Sequence, residues 1–166
     1  SDVNNPSGGQ LDGWTSSDKV YIMFEDQMSG IKLTMLGDLV NNAASVITVK
    51  YWDGDAYGTV TNFTPGNKKD DGTVAVTGKS LSQSGLLSWT PESDEQPKTE
   101  FGSFGYIYEL SFSGTLTGTK GGDAEVLVDI CTGVPHQQIV NPFAFSAIYG
   151  TRLMLGGFGK GDEGNR

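Results

Sequence analysis

The sequence predicts a single all-β domain: an antiparallel β-sandwich with about nine strands and jelly-roll-like connections. Glycine is abundant, at 24 of 166 residues, while hydrophobic residues make up only 36 %. That balance is typical of short strands that each bury one face. Apolar and polar residues alternate in several runs, and turn-forming residues separate those runs at regular intervals. No run shows the sustained 3.6-residue period of an amphipathic helix.

The alternation begins after a polar, aperiodic segment, residues 1–17, which we interpret as a flexible N-terminal arm with Trp14 docked on the domain. The sandwich is predicted over residues 18–155. Residues 156–166 are interpreted as a flexible tail or the start of a further segment. The predicted strands are Val20–Phe24, Ile31–Leu36, Val46–Trp52, Tyr57–Phe63, Thr73–Val76, Leu86–Trp89, Phe104–Phe112, Val126–Cys131 and Ala147–Leu155.

Turn chemistry and alternation together make specific predictions about individual residues. Ser29-Gly30 and Asp53-Gly54-Asp55 are predicted turns, since Asp and Gly tolerate the positive φ of a tight hairpin. Leu87 and Trp89 lie two residues apart on a strand, and the face they share is predicted to be the core face. The long strand is predicted to place one row of side chains on a single face: Tyr106, Tyr108, Leu110 and Phe112.

Charge and cysteine content restrict the classes of partner. The formal net charge is −9, and apart from Lys68-Lys69 the basic residues are scattered singly, so no nucleic-acid partner is expected. No apolar stretch is long enough to cross a membrane, and no membrane partner is expected. Cys131 is the only cysteine, which excludes an intrachain disulfide, and its apolar run predicts a buried, unreactive thiol.

The sequence contains no constellation that predicts catalysis. His136 is the only histidine, it follows Pro135 in a predicted loop, and no Gly-x-Ser-x-Gly motif is present. A pair of carboxylates could hydrolyse glycosides, but most acidic residues lie in predicted loops, where they are usually solvated. Glu109 and Asp129 are the notable acids within strands. We therefore expect no enzymatic activity, with a sandwich hydrolase as the least favoured class.

Two kinds of binding site remain. Asp53, Asp55, Asp70 and Asp71 would offer oxygen ligands to calcium if their loops meet at one end of the sandwich. Otherwise they are ordinary turn residues and the protein has no cofactor. Trp52 and Tyr57 are candidate stacking residues for a sugar ring, Tyr57 being the one expected to be exposed. For Trp52, packing at the edge of the core is the alternative.

Four pieces of the chain follow one another in a characteristic order and spacing: Val49–Tyr57, Asp71–Thr73, Lys79–Trp89 and Gly105–Leu116. In this order and spacing they resemble a β-sandwich module that recurs in structural proteins of tailed bacteriophages. The chain departs from this module in two ways. Members of the module often have tryptophan at the positions of Tyr57 and Tyr106, and they often have an arginine in the strand that here contains Glu109. The resemblance implies a virion location and no catalytic residue.

These observations define two main hypotheses about function. The first is a virion structural module, in a capsid decoration, neck or tail, whose partners are other virion proteins or copies of itself. The second is a carbohydrate-binding or host-adhesion module that recognises a surface glycan, on a virion or in the extracellular space. For the first hypothesis we expect contacts through the terminal arms or through unprotected edge strands, with Val126–Val128 and Ala147–Gly150 as candidates.

Overall fold

The computed structural model describes residues 9–67, 78–118 and 125–136, together with the backbone of residues 145–149 and 152–156. Within these residues all regular structure is β-strand, and the strands pair antiparallel. The strands are Gly9–Gln10 (β1), Lys19–Phe24 (β2), Met28–Met35 (β3), Ile47–Trp52 (β4), Tyr57–Thr59 (β5), Thr61–Pro65 (β6), Gly85–Thr90 (β7), Lys98–Glu100 (β8), Ser103–Phe112 (β9), Leu127–Pro135 (β10), Phe145–Tyr149 (β11) and Arg152–Gly156 (β12).

The chain divides into two compact units, Ser1–His136 and Gln137–Arg166. The first unit contains a five-stranded sheet of order β1-β10-β3-β7-β6, the first sheet. Its second sheet is also five-stranded, of order β2-β9-β4-β5 with β8 paired to β9. Side chains of both sheets form one buried apolar core. The predicted all-β sandwich is therefore confirmed.

The predicted core faces are also confirmed. Trp89 is 5 % exposed and Tyr108 is fully buried, and their ring centroids lie 5.2 Å apart. Because Trp89 belongs to β7 and Tyr108 to β9, this contact joins the two sheets. The alternate residues of β9 face the core as predicted, with Leu110 and Phe112 buried and Tyr106 partly buried.

The run predicted as one strand from Tyr57 to Phe63 is in fact two strands in different sheets. β5 pairs with β4 in the second sheet, whereas β6 pairs with β7 in the first. The chain crosses between the sheets at Val60, which is buried and donates its N–H to Val49 O at 3.2 Å. Before the crossing, Gly58 lets the ring of Tyr51 lie against β5, because a Cβ at Gly58 would lie 2.9 Å from that ring. One side of the sandwich is thereby closed by the chain itself.

The boundary of the predicted N-terminal arm is wrong for the described part of residues 1–17. Gly9 and Gln10 form β1, which pairs with Val128 and Leu127. Leu11 is buried and donates its N–H to Val126 O at 2.8 Å. Trp14 packs against the core as predicted. These residues contain little periodicity, and what makes them a strand is the edge that β10 offers them.

The turn predicted at Ser29-Gly30 is likewise wrong, since both residues lie inside β3 and the turn precedes it. Gly30 serves a different purpose. A Cβ at this position would lie 2.6 Å from Leu87 O on the neighbouring strand, so glycine permits the close approach of β3 and β7.

The second unit contains the hairpin β11–β12. The single strand predicted over Ala147–Leu155 is thus two strands, and the predicted domain 18–155 is divided after His136. Ala147–Tyr149, one of the candidate free edges, pairs with β12 on one side. The predicted strand Thr73–Val76 lies outside the described residues. No helix in the described part of the chain has the length and apolarity required to cross a membrane.

Candidate functional site

The outward face of the second sheet carries a group of aromatic side chains. In β4 the residues Ile47, Val49 and Tyr51 are buried, so the alternation of the strand turns Trp52 to the outside. Trp52 pairs with Tyr57 in the register of β4 and β5, and their ring centroids lie 5.2 Å apart in an edge-on arrangement. The two stacking residues predicted from the sequence are therefore adjacent.

Tyr21 extends this aromatic group across the sheet. Its neighbours Val20 and Ile22 pack against the core, which leaves Tyr21 on the outward face of β2 with 40 % of its surface exposed. Its ring centroid lies 5.9 Å from that of Tyr57. Such spacing and tilt are typical of contacting aromatic pairs.

The turn between β8 and β9 adds a fourth ring. Phe101 and Gly102 both have positive φ, 50° and 77°, as in the tight turns that join two antiparallel strands. The turn brings the Phe101 ring centroid to 5.8 Å from that of Tyr21, while 72 % of Phe101 stays exposed. We call Tyr21, Trp52, Tyr57 and Phe101 the aromatic platform.

Lys98 of β8 lies over one end of the platform. Its Nζ is 4.0 Å from the centroid of the Trp52 ring and 5.6 Å from that of Tyr57, which is a cation–π geometry. The same Nζ forms an ion pair of 2.8 Å with Glu100. The hydrogen bond to Glu100 raises the pKa of Lys98 above its ordinary value. The cation is therefore held above the Trp52 ring.

Glu109 contacts the aromatic platform at Tyr21. Although it is charged and lies on the outward face of β9, only 7 % of it is exposed. Its Oε2 accepts a hydrogen bond of 3.0 Å from the Tyr21 hydroxyl, and its Oε1 lies 3.9 Å from Lys50 Nζ. Partial burial, followed by this hydrogen bond, raises the pKa of Tyr21. The phenol is thus neutral at physiological pH and its ring is fixed in orientation.

The platform can present apolar ring surface at Tyr21 and Phe101 with charged groups around it. Rings of this kind stack on the apolar face of a sugar or on an aromatic side chain of a partner protein. The glutamates accept hydrogen bonds from hydroxyl groups, and Lys98 donates them. Trp52 contributes less free surface, because Lys98 already covers it.

Sequence reasoning missed Tyr21, Phe101 and Lys98 as members of this group. A signal for Tyr21 was present, since it alternates with the apolar residues Val20 and Ile22. Phe101 is an apolar residue followed by Gly102 between two strands, which is a weak signal of a turn that exposes a ring. Lys98 lies outside the strands predicted from the sequence, because its strand β8 has only three residues. Trp89, the other strand-end tryptophan, lies in the core as predicted.

The predicted calcium site stays a prediction, because only one of its two loops lies within the described residues. Asp53 Oδ1 accepts hydrogen bonds from the N–H groups of Asp55 and Ala56, at 2.8 and 2.7 Å. These bonds lower the pKa of Asp53 and give it the role of a turn residue. Asp70 and Asp71 lie outside the described residues. In the three fully described ranges no group of three or more His, Cys, Asp or Glu side chains is placed to hold a metal ion.

A second feature of functional interest is the open side of the sandwich, opposite the crossing at Val60. Here β2 is the last strand of the second sheet, and β10 is followed only by the two residues of β1. A cavity of about 310 Å³ lies between the sheets on this side. Its lining is largely apolar and includes Gly9, Leu11, Val20, Ile22, Leu33, Leu81, Leu110, Phe112, Val128, Asp129 and Cys131.

The structure corrects two predictions about β10. Cys131 was expected to be buried, but it is exposed at the rim of this cavity. Partial burial nevertheless raises the pKa of its thiol. Leu127 and Val128 were expected to be part of a free edge, but β1 pairs with both. Among the described residues, the free edge of β10 begins at Asp129 and continues to Pro135.

Comparison of the sequence with protein-family models and with curated proteins, and of the structure with solved structures, finds no match.

Proposed function

We propose that the chain is a structural module of a virion, in a capsid decoration, neck or tail, and that it acts through contacts with other virion proteins or with copies of itself. The observation that carries the proposal is the open side of the sandwich, where β2 and β10 present edges to which no described strand pairs beyond β1. Free edges of this kind pair readily with another chain. The proposal includes no catalytic step and no cofactor.

Two further observations support this function. Ile130, on the free edge, is 53 % exposed, so a chain that pairs with this edge would cover a large apolar side chain. The resemblance to phage structural modules covers the strands β4, β7 and β9, whose buried faces form the core. A scaffold with a rigid core and an available edge is suited to repeated assembly.

The proposal is tested by site-specific photo-crosslinking in assembling particles. A photoreactive amino acid at position 130 is expected to form a covalent bond to another chain of the purified particle, because the side chain lies on the free edge. The control is position 86 in β7, where Leu86 is 41 % exposed but lies in the interior of the sheet. The virion proposal is wrong if the chain is absent from purified particles, or if position 130 reacts no more than position 86.

The second candidate function is recognition of a surface glycan, on a virion or in the extracellular space. The observation that favours it is the aromatic platform, in which four contacting rings lie beside Lys98 and Glu109. Exposed rings flanked by charged hydrogen-bonding groups can bind the two faces of a sugar, one apolar and one polar.

For this function, Phe101→Ala and Tyr57→Ala are each expected to weaken binding on a glycan array by at least about tenfold, which corresponds to about 1.4 kcal/mol. Phe101 would lose stacking surface directly, whereas Tyr57 contacts both Tyr21 and Trp52. Thr59→Ala is the control, since Thr59 is an exposed residue on the same strand as Tyr57. Absence of glycan binding by the unaltered protein, or equal loss in all three variants, would count against the glycan function.

A further inference from the structure

The central part of the free edge of β10 lacks the charged residues and prolines that usually protect an edge strand. The run from Ile130 to Val134 reads Ile-Cys-Thr-Gly-Val, with no charged residue and no proline. Three of its residues are β-branched, which favours an extended conformation. β1 covers β10 only as far as Val128. β3 pairs with the run on one side, whereas on the other side no described strand pairs with it.

The other outer strands carry features that discourage pairing. β2 begins with Lys19 and is followed directly by Glu25-Asp26, and charges on an edge discourage association. β6 ends at Pro65 and has an irregular register near Asn62, whose φ is positive at 51°. β5 has three residues. Among the described strands of the first unit, the uncharged run of β10 is the least protected edge.

The run is complementary to itself when it is reversed. If two copies of β10 pair antiparallel about an axis at Thr132, then Ile130 of each copy lies opposite Val134 of the other. Thr132 lies opposite Thr132. Pairs of β-branched residues and Thr–Thr pairs both stabilise antiparallel strands. Asp129 falls opposite Pro135, so no like charges face each other in this register.

The exposed side chains fit this arrangement. Ile130 and Thr132 are exposed and share a face with Val134, because alternate residues of a strand point the same way. The opposite face is occupied by Gly133, where a Cβ would lie 2.6 Å from Met28 Sδ and 2.7 Å from the Phe24 ring. Pairing at the edge thus needs no change in the packing beneath β10.

We propose that β10 pairs antiparallel with β10 of a second copy of this chain, around a two-fold axis at Thr132. The pairing joins the first sheets of both copies into one continuous sheet and buries the exposed Ile130. A two-fold interface requires a surface that is complementary to itself, and this run satisfies that requirement in both side-chain pattern and charge. The inference rests on the proposed structural function and names the partner of that edge.

The first test uses disulfide formation in solution. Because Cys131 is the only cysteine, the double variant Cys131→Ser/Thr132→Cys has a single thiol, placed at the proposed axis. Directly opposed residues have Cβ atoms about 4.5–5.5 Å apart, close to the range that a disulfide spans. Mild oxidation is expected to give a covalent dimer. Cys131→Ser/Thr59→Cys, with its thiol at an exposed position of β5, is expected to form no covalent dimer under the same conditions.

The second test measures association of the chain without a crosslink. Sedimentation of the unaltered chain is expected to show twice the chain mass, and Ile130→Lys is expected to shift it to the monomer, because a lysine on the edge opposes pairing. Leu86→Lys, which changes an equally apolar exposed residue away from the edge, is the control and should remain a dimer. Circular dichroism verifies that each variant is folded.

A monomeric unaltered chain would overturn the inference, and so would equal crosslinking of the Thr132 and Thr59 thiols. These outcomes are distinct from failure of the virion proposal, since neither experiment requires a particle. If the chain dimerises in solution but is absent from purified particles, only the proposed virion function is overturned. Photo-crosslinking from position 130 to a different virion protein would retain that function and overturn the β10 pairing.

Discussion

Replacing Trp89 with alanine is expected to lower the free energy of unfolding by about 3–5 kcal/mol. The side chain is 5 % exposed, and its ring contacts Tyr108 of the opposite sheet at 5.2 Å between centroids. Removing it eliminates apolar burial and leaves a cavity at the point where the two sheets meet. The measurement is equilibrium denaturation in urea, followed by circular dichroism because the substitution removes a fluorophore.

Trp89→Phe is the matched control for this prediction. It retains an aromatic ring at the sheet interface, and the indole Nε1 that it removes has no hydrogen-bond partner among the described residues. We therefore expect a clearly smaller loss than for Trp89→Ala. A loss below about 1 kcal/mol for the alanine variant would mean that the ring is not buried, since such values are typical of exposed positions.

Replacing Tyr108 with phenylalanine is expected to cost about 1–3 kcal/mol, the usual penalty for leaving a buried polar group without its partner. The Tyr108 hydroxyl is fully buried with its ring and accepts a hydrogen bond of 2.7 Å from the backbone N–H of Met28. It also interacts with Glu95, a buried carboxyl group whose pKa is raised by desolvation. Phenylalanine retains the ring packing but leaves the Met28 N–H without an acceptor.

Tyr106→Phe is the control, because Tyr106 lies on the same face of β9 and is only partly buried. Because Tyr106 is less buried than Tyr108, removal of its hydroxyl is expected to change the free energy of unfolding by less than about 0.5 kcal/mol. Both variants are compared by urea denaturation at the same pH. Equal losses in the two variants would show that the hydrogen bond to Met28 does not contribute to stability.

The candidate site was predictable only in part. Trp52 and Tyr57 follow from alternation and from the Asp53-Gly54 hairpin that connects their strands, because a hairpin places flanking residues opposite each other. The cation above them was not predictable. Lys98 reaches Trp52 across many residues of intervening chain, through the fold-back of β8 along β9, and no local pattern encodes that contact.

The free edge was also predicted imperfectly, and the reason is physical. Local composition indicated an unprotected apolar strand near Val126–Val128, but whether a strand lies at an edge depends on which other segment pairs with it. β1 covers Leu127 and Val128 and stops there. The exposed part of β10 is therefore displaced toward Ile130, and Cys131 is exposed with it.

By itself the sequence determined the all-β class, most strand positions and the residues that face the core. These depend on a period of two and on local turn chemistry, both of which can be read within one segment. Tertiary structure alone decided the crossing at Val60, the existence of β1 and β8, and the role of Asn41. This buried side chain bonds to the backbone of Ala43, Ser80 and Thr117. Each of these features exists only when segments distant in sequence meet, because a backbone or amide group takes whichever partner the assembled fold places beside it.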